Sequence, residues 1–142
     1  MVTISDSTLR SNVYETIYDI INTGKSSYGA SSVPDLYGGY PDWEDVSYPN
    51  IIVNPIEVGE DTFTVDTARS VSNKTIVVII EIFTKKNKDL DIIADGIVSG
   101  IKASPFTGAY ITGVQENIGI VFPNEDKVKQ KTITITFMRR WD

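Results

Sequence analysis

The sequence contains no cysteine and no histidine. Without thiols there is no disulfide, no thiolate metal ligand and no cysteine nucleophile; without imidazole the commonest general base and the commonest transition-metal ligand are gone. Long apolar runs are missing too: the longest, Ile76 to Ile80, has five residues, far short of the ~20 that a membrane-crossing helix requires. Positive charge is scarce, with 13 Lys and Arg against 19 Asp and Glu and a formal net charge of −6, which argues against a standing affinity for phosphate backbones. The opening MVTISDSTLR has no basic start followed by an apolar core, so neither a secretory signal nor a transit peptide is expected. The sequon Asn73-Lys74-Thr75 is then expected to be coincidental.

Reactive constellations are equally thin. Gly38-Gly39 and Gly96 with Gly100 fall in neither a G-x-x-x-x-G-K-[ST] nor a G-x-G-x-x-G pattern, and no serine sits in a G-x-S-x-G elbow. Asp89-x-Asp91-x-x-x-Asp95 with Glu81 upstream is the one acidic group that could hold a hard cation. Its spacing is not that of a calcium loop and its members do not share a helical face, so complementing a helix dipole is the expected role. No enzymatic activity, metal or cofactor is expected.

What is present suits one compact core. A chain of 142 residues with 41% hydrophobic content buries about 70% of its unfolded surface, enough for a single domain over 1–142. Leu9, Val13, Ile17, Ile20 and Ile21 form a stripe at helical spacing within 7–23, with Ser5, Asp6 or Ser7 as candidate N-caps and Gly24 as the expected C-cap. Residues 48–58, YPNIIVNPIEV, read as a first strand, whose Pro49 and Pro55 suit an edge or a strand end.

The period then changes within one stretch. In KTIVVIIEIF, Ile76, Val78, Ile80 and Ile82 share one face of a strand and Val77, Ile79, Glu81 and Phe83 the other, so both faces are mostly apolar and the strand belongs in the middle of a sheet. Past Lys85-Lys86-Asn87-Lys88, the residues Leu90, Ile93, Ala94, Ile97, Val98 and Ile101 repeat at helical spacing, with Gly96 and Gly100 allowing close packing on a neighbour. Residues 106–122 alternate around Gly108, Gly113 and Gly119, which permit bulges or turns. After the turn PNED, Ile133, Ile135 and Phe137 alternate with Thr132, Thr134, Thr136 and Met138 in a half-buried final strand. The expected fold is α+β: a single four-stranded, mainly antiparallel sheet with two helices packed on one face.

Two segments remain. Residues 24–47 are dense in Gly, Ser, Pro and acids, with Tyr37, Tyr40 and Trp43 interleaved, and read as a long irregular contact loop or a flap folded over the core edge. Residues 59–73, with Phe63, Val65 and Arg69, read as a protruding hairpin arm, mobile in a monomer and ordered by neighbours. Charge is uneven as well. Eight acids between 24 and 66 face a single Lys25, whereas Lys85, Lys86 and Lys88, and Lys127, Lys129 and Lys131, form basic groups. Such patches can pair across a ring or dimer, or simply be solvated. Arg139, Arg140 and Trp141 are residue types enriched at binding hot spots.

The linear order of elements, with YPNIIV, the join TIVVIIEIFTKKNKDLDIIADGIVSGI and the ending KTITITFMRRW, resembles the tail terminator proteins of long-tailed bacteriophages and their minor tail and neck relatives. The likeness covers about residues 7 to 141 and leaves 24–47 unmatched. It implies a virion protein, assembled in the host cytoplasm and lodged at the head-tail junction, that forms a hexameric ring, touches the tail tube protein and the head's connector or neck protein, and lets DNA pass through its lumen unbound. Tyr37, Tyr40, Trp43, Phe63, Val65, Arg69, Lys85, Lys86, Arg139, Arg140 and Trp141 are the candidate subunit or partner contacts. A neck or head-completion protein and a small-ligand-binding α+β module are the rival expectations.

Overall fold

The computed structural model describes residues 2–3, 9–42, 46–54, 56–64, 70–103, 106–107, 109–119 and 128–141. In chain order the elements are β1 (Val2–Thr3), α1 (Leu9–Gly24), a 3₁₀ turn (Lys25–Ser27), β2 (Asp35–Tyr37), β3 (Asn50–Val53), β4 (Glu57–Thr64), β5 (Ser70–Thr84), α2 (Asn87–Ala103), β6 (Phe106–Thr107), β7 (Tyr110–Ile118) and β8 (Lys129–Trp141). The class is α+β, as expected, but the sheet is larger than the expected four strands. Six strands run β2-β3-β5-β8-β7, with β4 also on β5, and β1 and β6 make a separate two-residue pair. Every contact in the main sheet is antiparallel except β2 with β3.

The central strand is β5, and alternation decides its two faces. Ile76, Val78, Ile80 and Ile82 point to one side with no exposed surface, and opposite them on β8 lie Ile133, Ile135 and Phe137, equally buried. Both helices cover this face: Val13, Ile17 and Ile21 of α1 and Leu90, Ile93, Ala94, Ile97 and Ile101 of α2 belong to the same core cluster. At roughly 1.5–3 kcal/mol per fully buried large aliphatic side chain, this layer is what holds the fold. Asp89 in the first turn of α2 and Lys102 in the last match its dipole.

Helix packing depends on small residues. A Cβ on Gly96 would come within 2.3 Å of the Tyr28 ring, and one on Gly100 would meet Ile20 of α1 at 3.3 Å. The first glycine therefore seats an aromatic ring and the second admits the neighbouring helix. Gly24 is not the left-handed cap that its place after the stripe suggested: its φ of −87° is right-handed, and α1 runs straight into the 3₁₀ turn. The left-handed residue is Gly29, at φ 86°, where a side chain would be strained. The candidate N-caps Ser5, Asp6 and Ser7 lie outside the described residues.

Three other boundaries are corrected. Residues 48–58 split into β3 and the start of β4, and β3, flanked by β2 and β5, is internal with all four residues buried. Pro49 stands just outside it, where its carbonyl accepts from the Asp35 N–H at 3.1 Å. Residues 24–47 are not wholly irregular, since they contain β2. Of the arm, 59–64 belong to β4, which pairs with β5 from Glu57↔Val77 to Thr64↔Ser70, and 70–73 belong to β5, which β8 pairs on its other edge as far as Ser72↔Trp141; residues 65–69 lie outside the described residues. The register of β7 shifts between Ile111 and Gly113, the bulge that the glycine permits, and the Thr112 hydroxyl donates to Thr136 O at 3.2 Å.

Candidate assembly surface

The second face of the sheet carries the alternate residues of the same strands. At one end Ile52 and Phe83 are buried with Val128 under Tyr37 and Tyr48. The chain after β2 reaches this cluster by wrapping the sheet edge. Gly38 sits against Tyr14 of α1 on the helix side, and two residues later the Tyr40 hydroxyl donates to Glu81 on the other side; that hydrogen bond, with burial and the carboxylate charge added, raises its pKa. Burial, then the nearby Asp35, raises that of Tyr37. Gln130 Nε2 donates to Glu81 Oε1 at 3.2 Å from the adjacent strand.

Past Glu81 the cover stops. Val77 and Ile79 on β5, and Thr132, Thr134, Thr136 and Met138 on β8, are half-exposed. Across from them on β7, Gly113, Gln115 and Asn117 are exposed, and Tyr110 is 54% exposed. None of these side chains is charged, in a protein of net charge −6. The patch is apolar at its centre and hydroxyl-bearing around it, with exposed Glu57 of β4 opposite Val77 at its margin. Such a surface is suited to packing against another protein.

The β5–α2 join is built differently. Thr84 is buried, and its hydroxyl accepts from the Lys86 N–H at 3.2 Å. Asp89, 4% exposed, receives the Ser31 N–H at 3.1 Å on Oδ1 and the Ser31 hydroxyl on Oδ2. It thus clamps the loop after α1 onto the start of α2. A cleft of about 340 Å³ opens beside it, lined by Ser31, Ser32, Tyr48, Thr84, Lys85 and Lys86 among others. Lys85 and Lys86 are exposed, and the Lys85 ammonium lies 5.3 Å from the centre of the Tyr48 ring. Part of its charge is therefore engaged within its own chain.

Of the candidate contacts, Tyr37, Tyr40, Lys85 and Lys86 gather at this covered end of the sheet. Phe63 lies on β4 opposite Val71, and Arg139, Arg140 and Trp141 lie at the far end of β8 opposite Lys74, Asn73 and Ser72. Two groups therefore sit at opposite ends of β5. Trp43, Val65 and Arg69 lie outside the described residues, as does Lys127. The acidic group of the sequence is dispersed: Asp89 holds Ser31, Asp91 pairs with Lys131 at 3.0 Å, and Glu81 belongs to the sheet. Among the described residues no group of three or more His, Cys, Asp or Glu is placed to hold a metal ion. No helix among them is long and apolar enough to cross a membrane.

Sequence reasoning missed the Ser31–Asp89 clamp, the seat of Tyr28 on Gly96, and the pairing of Lys131 with Asp91. Burial lowers the pKa of Lys131, but its hydrogen bond to Asp91 and the charges of Glu116 and Asp91 outweigh that and leave it raised. Helical spacing could have placed Asp89 within an inward-facing turn; the partners, far off in sequence, left no local signal.

No protein-family profile matches the chain, and no curated protein does. Among solved structures it is similar to a chain from "Virion of native gene transfer agent (GTA) particle", with a TM-score of 0.45 and 10% sequence identity over 90% of this chain and 92% of that one.

Proposed function

We propose that the protein is a non-enzymatic structural subunit of a phage-like virion, which closes the end of a tail tube as a hexameric ring, stops tube growth and offers a surface to the head's connector. Support comes from the strand-to-helix join and the order of elements, which resemble tail terminators. The observation that carries the reading is the open apolar and threonine-bearing face of β5 and β8 beyond Glu81. Half-exposed Val77, Ile79 and Met138 among threonines form a surface suited to neighbours, and a ring supplies them. The acidic balance of the chain suits a lumen through which DNA slides without sticking.

The test is assembly without this protein. Tails made in its absence are expected to be over-long and unable to join heads, as seen by electron microscopy. Tails of normal, uniform length that fail to join heads would move the assignment to a neck protein. Native mass spectrometry of the purified chain with tail tube protein is expected to show six copies.

A further inference from the structure

The main sheet is bounded by two long strands beyond which no other strand lies among the described residues. β7, nine residues long, pairs with β8, and seven of its nine residues are exposed. β4, eight residues long, pairs with β5. The Gly119 N–H donates inward to Gln130 O at 2.8 Å, so the antiparallel alternation turns the N–H and C=O of Ile118, Glu116 and Val114 outward, away from β8. Proteins usually blunt such edges with Lys, Pro or a bulge. Neither strand has a Lys or a Pro, and the bulge of β7 lies at Thr112, short of this outward row.

Charge separates the two edges. β4 carries Glu57, Glu60 and Asp61 and no base. β8, next to β7, carries Lys129, Lys131, Arg139 and Arg140, of which Lys131 is already paired with Asp91, and β5, next to β4, places Lys74 opposite Glu60. Glu116, the one acid of β7, lies 3.6 Å from Lys131 and so presents little repulsion. A strand added to β7 would run about 10 Å from β8, two strand spacings away, which is about one Debye length at 0.1 M salt, so that attraction to the bases of β8 is partly screened.

Building on the ring-subunit reading above, we infer that β7 of one copy takes β4 of the next copy as an added strand, so that the sheet continues from subunit to subunit. Main-chain hydrogen bonds supply the adhesion, and the three acids of β4 against the single, already paired acid of β7 bias which edge meets which. Two β4 edges would set acids against acids. Because β4 and β7 are different surfaces, the contact is head-to-tail, the type that closes into rings.

The chain has no cysteine, and a Cβ added at Gly59 of β4 or Gly113 of β7 meets nothing within 4 Å. The double variant Gly59→Cys/Gly113→Cys, treated with a short thiol cross-linker, is expected to give a covalent ladder reaching six chains on a denaturing gel. Each single variant is expected to stay a single chain. Glu116→Pro, which removes one outward N–H, is expected to abolish all species above monomer in native mass spectrometry. Glu116→Ala is expected to retain them, with both variants shown folded by circular dichroism. Dimers from Gly113→Cys alone would replace the inference with a symmetric β7–β7 contact. Hexamers without the β4–β7 cross-link would overturn the edge pairing and leave the ring. Monomers throughout, even with tail tube protein, would overturn both.

Discussion

The two faces of β5 and β8 are made by the same residues of backbone and differ only in alternate side chains. On the helix side, Ile76, Val78, Ile80 and Ile82 have no exposed surface; on the other, Val77 and Ile79 are half-exposed. The first face is closed by its own chain. The second is left as surface with nearly the same apolar character over its middle. Strong β-formers on both faces are needed for a strand to lie centrally in a sheet, but only one face is needed to fold the monomer. The difference separates stability from assembly, and substitutions should separate the same way.

The largest effect is expected on the helix side. Ile97→Ala, deep under α2, should cost roughly 2–5 kcal/mol through lost burial and a residual cavity, read from denaturant melts; a loss below about 1 kcal/mol would break the comparison. Gly96→Ala comes next. Its methyl group must displace the Tyr28 ring, and the overpacking should leave a net loss of roughly 1–3 kcal/mol despite the ~1 kcal/mol that alanine gains over glycine in a helix.

Tyr28 itself sharpens the contrast through pH. Burial pushes its pKa from 10.0 up to about 12, so the folded state keeps this proton longer than the unfolded state. Its contribution is fully present below pH 10 and is lost as the pH rises towards about 12. The hydroxyl has no partner among the described residues, so Tyr28→Phe should be nearly neutral in melts below pH 10 and should flatten the loss above it. The smallest effect is expected on the open face. Thr134→Lys, between Ile79 and Gln115, should change monomer stability by no more than about 0.5 kcal/mol while weakening self-association measured by sedimentation. A strongly destabilised monomer would show that the open face is part of the core after all.

Long elements with one clear period were readable in the sequence: β5, α2 and β8 lie where alternation and the helical stripe put them. The bulge near Gly113 and the packing role of Gly96 and Gly100 were readable too, because glycine there has few other uses. β2 was not, since its three residues sit among Gly, Ser and Pro and are held by β3, so pairing and not propensity makes them a strand. Nor was β4 separable from the arm: its Gly59 and acids are poor strand formers taken into the sheet by β5. Of the candidate contacts, Tyr37 and Tyr40 stood out by composition, and they lie at the covered end of the sheet. The threonines of β8 marked its half-buried side in the sequence, but the bare edge of β7 needed the topology, because nothing local tells an edge strand from an internal one.

β5 is joined to β8 through thirteen consecutive residue pairs, from Ser72↔Trp141 to Thr84↔Lys129, but on its other side it is shared between two separate strands, β3 ending at Val53 and β4 starting at Glu57. A pull along the strand loads the thirteen pairs together, in shear, so that many hydrogen bonds resist at once. A pull outward on the Thr64 end of β4 loads its eight pairs with β5 one after another, as a zip does. The molecule therefore has a stiff axis along β5 and a compliant one across it.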